Sequence, residues 1–418
     1  MRILIATAGS RGDVVPYTGL GARLRQAGHE VSLATHTRFA GLVGVAGLEF
    51  RALPVDPWAE LVSARGQRLV RARSAALEVT ELIRLGRRLM PALGQGVLAA
   101  AQQGADVLLV SATMAPLGHV VAEALGLPSI EVFLQPMTPT REFQAPMPIT
   151  RPLGPWGNYL VGSITQAAID QLLDPAVRQL RRRLGLPALT ISAQRRRARR
   201  RRSPVLHGFS PAVVARPADW PPGMHVCGYW WPHQDPHWQP AAELLDFLQA
   251  GPPPVFVGFG SRVVPHAERL SATVGAALRQ TRLRAVIQAG WSGLSVASDD
   301  VFAVDEIPHH WLFPQMAAVV HHCGAGTTAA GLRAGVPAVP LPAQFDTPFW
   351  AARLTALGVA DTPIPLRELS ADHLAAALKH AVNEPALRHR AQTLATQLAT
   401  EDGAAQVLHT VQRVAAST

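Results

Sequence analysis

The stretch that decides the fold runs over residues 319–350 and reads VVHHCGAGTTAAGLRAGVPAVPLPAQFDTPFW. An apolar run at residues 317–320 predicts a buried strand that leads into it. The pattern of residues 325–333 is typical of a helix closed by a Gly-Val-Pro turn, and residues 338–341 predict a second strand. The stretch is therefore a strand, a short loop, a helix and another strand.

The loop inside this stretch has the composition of an anion-binding site. Gly324 and Gly326 allow a ligand to approach the backbone closely. The N-terminus of the following helix favours a phosphate through its exposed N–H groups and its dipole. His322 and Thr327 add side-chain hydrogen-bond donors. Ordinary strand–turn–helix packing would explain the small residues alone, but the histidine before the loop and Asp346 after it favour a binding site.

The same stretch resembles the donor-binding signature of UGT-type glycosyltransferases, which have the GT-B fold and use nucleotide-diphosphate sugars. The resemblance is closest to the bacterial natural-product and sterol-glucosyltransferase-like branch. Two positions depart from the pattern, since Cys323 stands where that branch usually has Gly and Thr347 where the family commonly has Gln. The residues that carry the resemblance are His322-Cys323-Gly324, Gly326-Thr327, Gly335-Val336-Pro337 and Phe345-Asp346.

Length and composition are those of a globular protein with two domains. The chain has 418 residues, of which 48% are hydrophobic and 16% charged, and this is enough for two cores of ordinary size. The two cysteines, Cys227 and Cys323, make neither a disulfide framework nor a zinc-binding spacing, which favours a reducing cytoplasm. The apolar start of the chain is too short for a signal peptide or a membrane span.

The net charge of +10 comes largely from arginine-rich segments. Residues 181–183 are all Arg, and so are seven of the eight residues 195–202. Such a block repels itself and is typically solvated, so a surface loop is the first interpretation. The second is contact with an anionic membrane surface or partner, which would make the protein peripheral at the membrane. Nucleic acid is the least favoured partner, because no reading motif accompanies the arginines.

The N-terminal half alternates strands and helices in the manner of a doubly wound α/β domain. Residues 3–7 and 31–35 predict strands, separated by a loop at residues 8–13 and a helix that begins near Tyr17. No clean GxGxxG follows the first strand, so a dinucleotide cofactor is not indicated. Strands are also predicted at 106–110 and 129–133, helices at 59–101, 115–125 and 160–186, a loop at 136–155 and short extended pieces at 203–226.

The C-terminal half repeats the alternation, with strands predicted at residues 255–259, 283–288 and 301–304 and a helix at 266–280. The resemblance implies two Rossmann-like domains that face a central cleft. The first would bind the acceptor and the second the sugar donor, and a C-terminal helix would pack back on the first. The predicted division is 1–232 for the acceptor domain, 233–250 for the linker, 251–395 for the donor domain and 396–418 for the returning helix.

Sugar transfer needs a base that takes the proton of the acceptor hydroxyl. The loop after the first strand faces the predicted cleft and contains Ser10, Arg11, Gly12 and Asp13. The resemblance favours Asp13 as this base, because many UGT-type enzymes have His at the position and a bacterial antibiotic branch has Asp. From the residues alone, a helix N-cap role for Asp13 is equally well supported. Ser10, Arg11 and Gly12 are predicted to contact the donor.

The departing diphosphate needs groups that stabilise its growing negative charge. His322 and the backbone N–H groups of residues 324–327 are predicted to supply them, while His321 is predicted to be structural. Ser261 and Arg262, in the turn after a predicted strand, are expected to add a hydroxyl and a charged clamp. The predicted phosphate-binding residues of the helical loop are Gly324, Ala325, Gly326 and Thr327. No DxD motif is present, so no metal site is predicted.

The resemblance assigns the rest of the donor. Asp346, flanked by Phe345 and Thr347, would accept hydrogen bonds from the sugar hydroxyls. Thr347 lacks the amide of the usual Gln, so a deoxysugar or a different hydroxyl pattern is consistent with it. Trp291 and Ile307 would contact the nucleobase, although core packing is the commoner role for Trp and applies equally to Trp311.

These residues together predict an inverting O-glycosyltransferase without a cofactor, acting as a monomer or homodimer. It would move a sugar from a UDP- or dTDP-sugar to a hydroxyl of an apolar small molecule such as a natural product, sterol or lipid-like compound. One alternative is a nucleotide-sugar epimerase of related architecture, which would consume the donor without an acceptor. The other is a basic protein that binds nucleic acid or membrane, with vestigial catalysis.

Overall fold

The structure, a computed structural model, describes residues 1–56, 75–144, 146, 153–260, 266–343 and 345–416. At residues 75–84, 291, 415 and 416 it describes the backbone alone. No helix in these ranges combines the length and the apolar character that a membrane span needs.

Two parallel sheets organise the described part of the chain, as the alternation predicts. The strands of the first are β1 (Arg2–Ala6), β2 (Glu30–His36), β3 (Glu49–Leu53), β4 (Val107–Val110), β5 (Ser129–Phe133), β6 (Val205–His207) and β7 (Met224–Val226). Their order is β3-β2-β1-β4-β5-β6-β7, and every pairing is parallel. Such strands are covered on both faces, which is why β1 is a continuous apolar run with Ile3, Leu4 and Ile5 at most 1% exposed.

The second sheet contains β8 (Val255–Gly258), β9 (Ala285–Gln288), β10 (Val301–Val304), β11 (Val319–His321) and β12 (Ala338–Pro340). Its order is β10-β9-β8-β11-β12, again all parallel. The chain therefore has two Rossmann-like doubly wound units, and this prediction is confirmed. The proposed division at residues 233–250 stays a prediction, and those residues lie between β7 and β8.

Helices cover the sheets and connect their strands. They are α1 (Arg11–Gln26), α2 (Ala40–Val45), α3 (Ala75–Gln102), α4 (Ala115–Leu125), α5 (Gly154–Arg183), α6 (Ile191–Arg200), α7 (Ala242–Gln249), α8 (Ala267–Thr281), α9 (His309–Leu312), α10 (Ala325–Ala334), α11 (Thr347–Ala356), α12 (Ala371–Asn383), α13 (Pro385–Ala399) and α14 (Gly403–Ala416). The early part of the predicted helix 59–101 and part of the predicted loop 136–155 lie outside the described residues.

The prediction for the first helix needs correction. Helix α1 begins at Arg11, so Gly12 and Asp13 lie in its first turn instead of a loop. The reason is a capping box, in which Ser10 is the N-cap and the Asp13 carboxylate accepts the Ser10 backbone N–H at 2.8 Å.

The interpretation of residues 195–202 as a surface loop is wrong, because most of the arginines belong to α6. Thr190 caps this helix by accepting the Ala193 N–H. The guanidinium of Arg195 makes two hydrogen bonds of 2.7 and 2.8 Å to the carboxylate of Asp170, which is 5% exposed. A buried carboxylate on α5 thus fixes the helix, while the side chain of Arg196 is exposed.

The last helix, α14, contacts the N-terminal unit. Val407 and Val411 are fully buried in the same apolar cluster as Leu20 and Trp230. The indole N–H of Trp230 also donates to the Gly403 carbonyl at 3.1 Å. These contacts join the end of the chain to α1 and to the segment that follows β7.

Candidate active site

A cleft of about 2170 Å³ lies where the carboxyl ends of strands from both sheets meet. Its walls include the segments directly after β1, β5, β10, β11 and β12. Ligands of open parallel sheets bind at such strand ends.

Most of the predicted site residues line this one cleft, although they come from distant parts of the chain. Ser261 and Arg262 lie outside the described residues, and so does the side chain of Trp291. The predicted residues that the structure brings together are Ser10, Arg11, Gly12, Asp13, Ile307, His322, Gly324, Ala325, Gly326, Thr327, Phe345, Asp346 and Thr347.

Asp13 is half-buried, and its carboxylate accepts two hydrogen bonds from Ser10. The Ser10 backbone N–H and hydroxyl donate to Oδ2 at 2.8 and 2.9 Å. Burial raises the pKa of the Asp13 carboxyl, and the Ser10 donors and the Gln135 side chain oppose that shift. A carboxyl with a raised pKa is a stronger base once ionised, so its position in the cleft suits proton abstraction. Asp13 is the third residue of the helix and not its N-cap, since Ser10 has that place.

The peptide of Gly9 brings the Asp13 turn against β2. Its N–H donates to His36 Nε2 at 2.9 Å, while His36 Nδ1 lies 2.7 Å from the Val55 carbonyl. The two contacts are satisfied together by a neutral ring that carries its proton on Nδ1. Gly9 has φ +147°, and a Cβ there would lie 2.4 Å from Asp13 Oδ2. Only glycine fits this position without displacing the carboxylate.

The two neighbouring histidines of the 319–350 stretch, His321 and His322, have different environments. His321 is fully buried in β11, where its Nδ1 accepts the Cys323 N–H at 3.1 Å and burial lowers its pKa to about 3. His322 is half-buried and lines the cleft. A Cβ at Gly324 would come within 2.6 Å of the His322 ring, and one at Gly260 within 3.0 Å. Glycines on two sides therefore make room for this imidazole.

Helix α10 starts directly at the cleft wall. Its N-cap is Gly324, and Ala325, Gly326 and Thr327 form the first turn. The N–H groups of a first turn have no partner within the helix, so they are available to an anion. Cys323 precedes them with φ +62° and is fully buried, and burial raises the pKa of its thiol. This cysteine therefore has a packing role.

The Phe345–Thr347 turn forms another part of the wall. Phe345 is 44% exposed and has φ +61°, a strained backbone for a residue with a side chain. Asp346 accepts the Trp350 indole N–H at 3.0 Å, which orients its carboxylate. The hydroxyl of Thr347 accepts the Ala343 N–H at 3.0 Å, and the residue is only 3% exposed. Thr347 thus stabilises the turn, and Phe345 and Asp346 are the more accessible members.

Two known domain families each match one part of the chain. Residues 3–144 match the glycosyltransferase family 28 N-terminal domain, and residues 284–414 match the erythromycin biosynthesis protein CIII-like C-terminal domain. An O-mycaminosyltylonolide 6-deoxyallosyltransferase of Streptomyces fradiae is 39% identical, over 96% of this chain and 95% of its own length. The chain belongs to the UGT-type glycosyltransferases of the GT-B fold.

A further related sequence and a solved structure of similar fold are also glycosyltransferases. A sterol 3-beta-glucosyltransferase of Arabidopsis thaliana is 35% identical over 97% of this chain, which spans 64% of that relative's length. The solved structure of glycosyltransferase VinC in complex with DTDP has a TM-score of 0.69 and 21% identity and covers 100% of both chains. At that identity the likeness concerns the fold alone.

Several residues of the glycosyltransferase cleft are not among those predicted from the sequence. Gln135 follows β5 and hydrogen-bonds the Asp13 side chain, and its place after a predicted strand was a usable signal. Glu306 also lines the cleft, and it forms an ion pair of 3.0 Å with the predicted Arg11, which joins the two units across the cleft. Trp238, from the proposed linker, lines the cleft and packs its ring against Trp311 at 5.3 Å. Pairings between distant segments leave no local sequence signal.

Acidic, histidine and cysteine side chains are the groups that could hold a metal ion in this protein. In the described part of the glycosyltransferase, no three of them come together in a way that could hold a metal ion. Metal independence stays a prediction, based on the missing DxD motif.

Proposed function

We propose that this glycosyltransferase catalyses inverting transfer of a sugar from a UDP- or dTDP-sugar to a hydroxyl of an apolar small molecule. The observation that carries the proposal is that Asp13 and the His322–Thr327 segment line one cleft. A base and an anion-binding helix terminus are the two groups that the displacement needs.

The proposed reaction is a single displacement at the anomeric carbon. The acceptor oxygen forms a bond to that carbon as its proton passes to the Asp13 carboxylate. The bond between the anomeric carbon and the phosphate oxygen breaks, and its electron pair leaves with the nucleoside diphosphate. His322 and the first-turn N–H groups of α10 stabilise the charge on that leaving group. Attack opposite the leaving group inverts the anomeric configuration.

The residues that line the cleft and the names of related proteins support an apolar acceptor and a nucleotide donor. The cleft wall of the N-terminal unit includes Leu42, Val45, Leu85 and Leu134, which suit an apolar molecule. Relatives are described as acting on sterols and on O-mycaminosyltylonolide, and VinC was solved with DTDP. Asp346 is proposed to accept hydrogen bonds from the sugar hydroxyls. No cofactor or metal takes part in the proposal, and the nucleotide sugar is a substrate.

A ligand screen followed by a transfer assay tests the proposal. UDP, dTDP and their sugar conjugates are added separately, and the thermal midpoint of unfolding is measured. A ligand at about 100 times its Kd adds roughly 2.7 kcal/mol to the free energy of unfolding, so a true donor gives a clear rise. The best donor is then incubated with sterol and macrolide acceptors, and products are detected by mass spectrometry and their anomeric configuration by NMR.

Three results would contradict the proposal. No stabilisation by any nucleoside diphosphate would remove the donor site. Conversion of the donor to an isomeric nucleotide sugar without an acceptor would indicate an epimerase. Retention of the anomeric configuration in the product would exclude the single displacement.

A further inference from the structure

An exposed apolar surface runs along the N-terminal half of α5. Nine large hydrophobic side chains are exposed in the described part of the chain, and five of them lie within residues 153–164. Trp156 is 72% exposed, Leu160 59% and Ile164 60%, with Leu153 and Tyr159 beside them. Single exposed apolar residues are common on proteins, whereas a cluster of them is typical of an interaction surface.

The spacing of these residues places four of them on one face of the helix. Leu153, Trp156, Leu160 and Ile164 are separated by three, four and four positions. At 3.6 residues per turn they lie within an arc of roughly 80°. No residue from 154 to 169 is charged. We call these four residues the apolar stripe.

Arginines flank the apolar stripe. The guanidinium of Arg141 lies 4.0 Å above the Trp156 ring. Helix α6 lies along α5, because Arg195 bonds Asp170 and the Ile191 N–H donates to Asp174 at 2.8 Å.

Two of the arginines of α6 are held by carboxylates and the others face solvent. Arg195 and Arg197 make ion pairs with Asp170 and Glu123. The exposed side chains without an ion pair among the described residues of α6 are Arg196, Arg199 and Arg200. Near the other end of α5, Arg182 and Arg183 are exposed as well.

We propose that the apolar stripe and the exposed arginines of α6 dock this protein on an anionic lipid bilayer. The helix would lie in the plane of the interface, with Leu160 and Ile164 at the boundary of the acyl chains and Trp156 at the level of the headgroups. The arginines would contact lipid phosphates, whose negative surface potential attracts a basic segment.

A bilayer fits this surface better than a soluble partner does. Arg141 stacks on Trp156 of the stripe, and α6 with its exposed arginines packs on the same helix as the stripe. A lipid surface offers both acyl chains and phosphates to such a combination of apolar and cationic groups. The net charge of +10 acts in the same direction over a longer range. The docking surface does not depend on the proposed reaction, and an apolar acceptor would be concentrated where the protein binds.

Vesicle co-sedimentation without nucleotide tests the proposal. The full chain is mixed with vesicles of phosphatidylcholine alone or with added phosphatidylglycerol, and the bound fraction gives an apparent affinity. We expect binding to the anionic vesicles, weaker binding to the zwitterionic ones, and a loss of affinity in high salt, because salt screens the arginine contacts. The triple variant Trp156→Ser, Leu160→Ser, Ile164→Ser should lose at least about tenfold in affinity, since each side chain removes apolar area from the interface.

Matched variants separate the surface from total charge and from folding. Replacing Arg196, Arg199 and Arg200 by Gln should weaken binding to anionic vesicles, whereas the same change at Arg279, Arg282 and Arg390, which are exposed on the C-terminal unit, should weaken it much less. Leu125→Ser removes exposed apolar surface from α4, outside the stripe, and should leave binding unchanged. An unchanged thermal midpoint shows that each variant is folded.

Two outcomes would overturn the proposal. One is that the wild-type chain does not sediment with anionic vesicles, or that the stripe variant sediments as well as the wild type. The other is that the chain is a dimer in size-exclusion chromatography and the stripe variant a monomer, while neither binds vesicles. The stripe would then be an interface between two copies. Donor binding is measured separately, so failure of the proposed reaction leaves this result readable.

Discussion

Replacing Asp13 by Asn and by Ala separates a catalytic base from a helix-capping residue. In the structure Asp13 Oδ2 accepts both Ser10 donors. The Asn side-chain oxygen can accept the same two bonds, but the amide cannot take a proton from the acceptor. The Ala variant loses both the bonds and the base.

The catalytic role predicts a large loss of reaction rate, whereas the capping role predicts a small loss of folding free energy. A positioned general base contributes about 10²- to 10⁴-fold in rate. This corresponds to roughly 3–5 kcal/mol of barrier at about 1.36 kcal/mol per tenfold. Loss of the capping interaction in Asp13→Ala costs about 0.5–2 kcal/mol of folding free energy. We expect Asp13→Asn to lose turnover with a nearly unchanged thermal midpoint, and Asp13→Ala to lose turnover and also to unfold a few degrees lower.

The assay follows nucleoside diphosphate release at saturating donor and acceptor, with donor affinity measured by calorimetry on the same samples. Donor affinity should persist in Asp13→Asn, because the base acts on the acceptor. Wild-type turnover in Asp13→Asn, together with a lowered midpoint in Asp13→Ala, would refute the base and leave only the cap. A large loss of donor affinity in Asp13→Asn would also contradict the reasoning, since it would make Asp13 a donor ligand.

Three further predictions follow from the geometry. His322→Ala should weaken nucleoside diphosphate binding about 10- to 100-fold, the value of one charge-assisted hydrogen bond, and an unchanged Kd in calorimetry would count against the contact. Arg195→Gln should lower the free energy of unfolding by about 2–4 kcal/mol in denaturant titrations, because it leaves the buried Asp170 carboxylate without its cation. Arg196→Gln, at an exposed position, should leave this free energy unchanged. Equal midpoints for the two variants would show that the Arg195–Asp170 pair adds nothing to stability. Burial lowers the pKa of His207 from its ordinary 6.5 to about 4, so the unfolded chain takes up a proton at higher pH than the folded chain does. Folding stability should therefore fall as the pH drops from 6.5 to 4. His207→Phe should reduce this pH dependence of the thermal midpoint, and an unchanged pH dependence would contradict the assignment.

Local sequence patterns were sufficient to predict the elements around the candidate donor site. The apolar run before His321 and the small residues after it predicted a strand, a loop and a helix N-terminus, and the structure has β11 and α10 there. The prediction of β11 and α10 is correct because the formation of a buried parallel strand, or of a helix bounded by glycines, depends mainly on residues that are close in sequence. The predicted start of the first helix is wrong, because Gly12 favours a loop locally while the capping box between Ser10 and Asp13 starts the helix at Arg11.

The arginine segment shows where charge patterning misled the interpretation. A run of seven arginines in eight residues predicts self-repulsion and a solvated loop. The structure has a helix there, because Asp170 and Glu123 on other helices neutralise two of the arginines. Those carboxylates are distant in sequence, and their effect could not be found without the fold.

The sequence by itself predicted the two doubly wound units and the strand, loop and helix N-terminus around Gly324, because these depend on residues close together along the chain. Asp13 became a candidate base through the family resemblance, since the residues alone support a helix N-cap equally well. Only the tertiary structure decided that Asp13 and His322 share one cleft, that Gln135 contacts the Asp13 carboxylate and that Arg11 reaches Glu306. The contact between Gln135 and Asp13 arises because β1 and β5 end at the same edge of the first sheet, and the other two pairings arise because the two sheets bring their strand ends together. The distances involved depend on how the units pack, and local patterns contain no information about that packing.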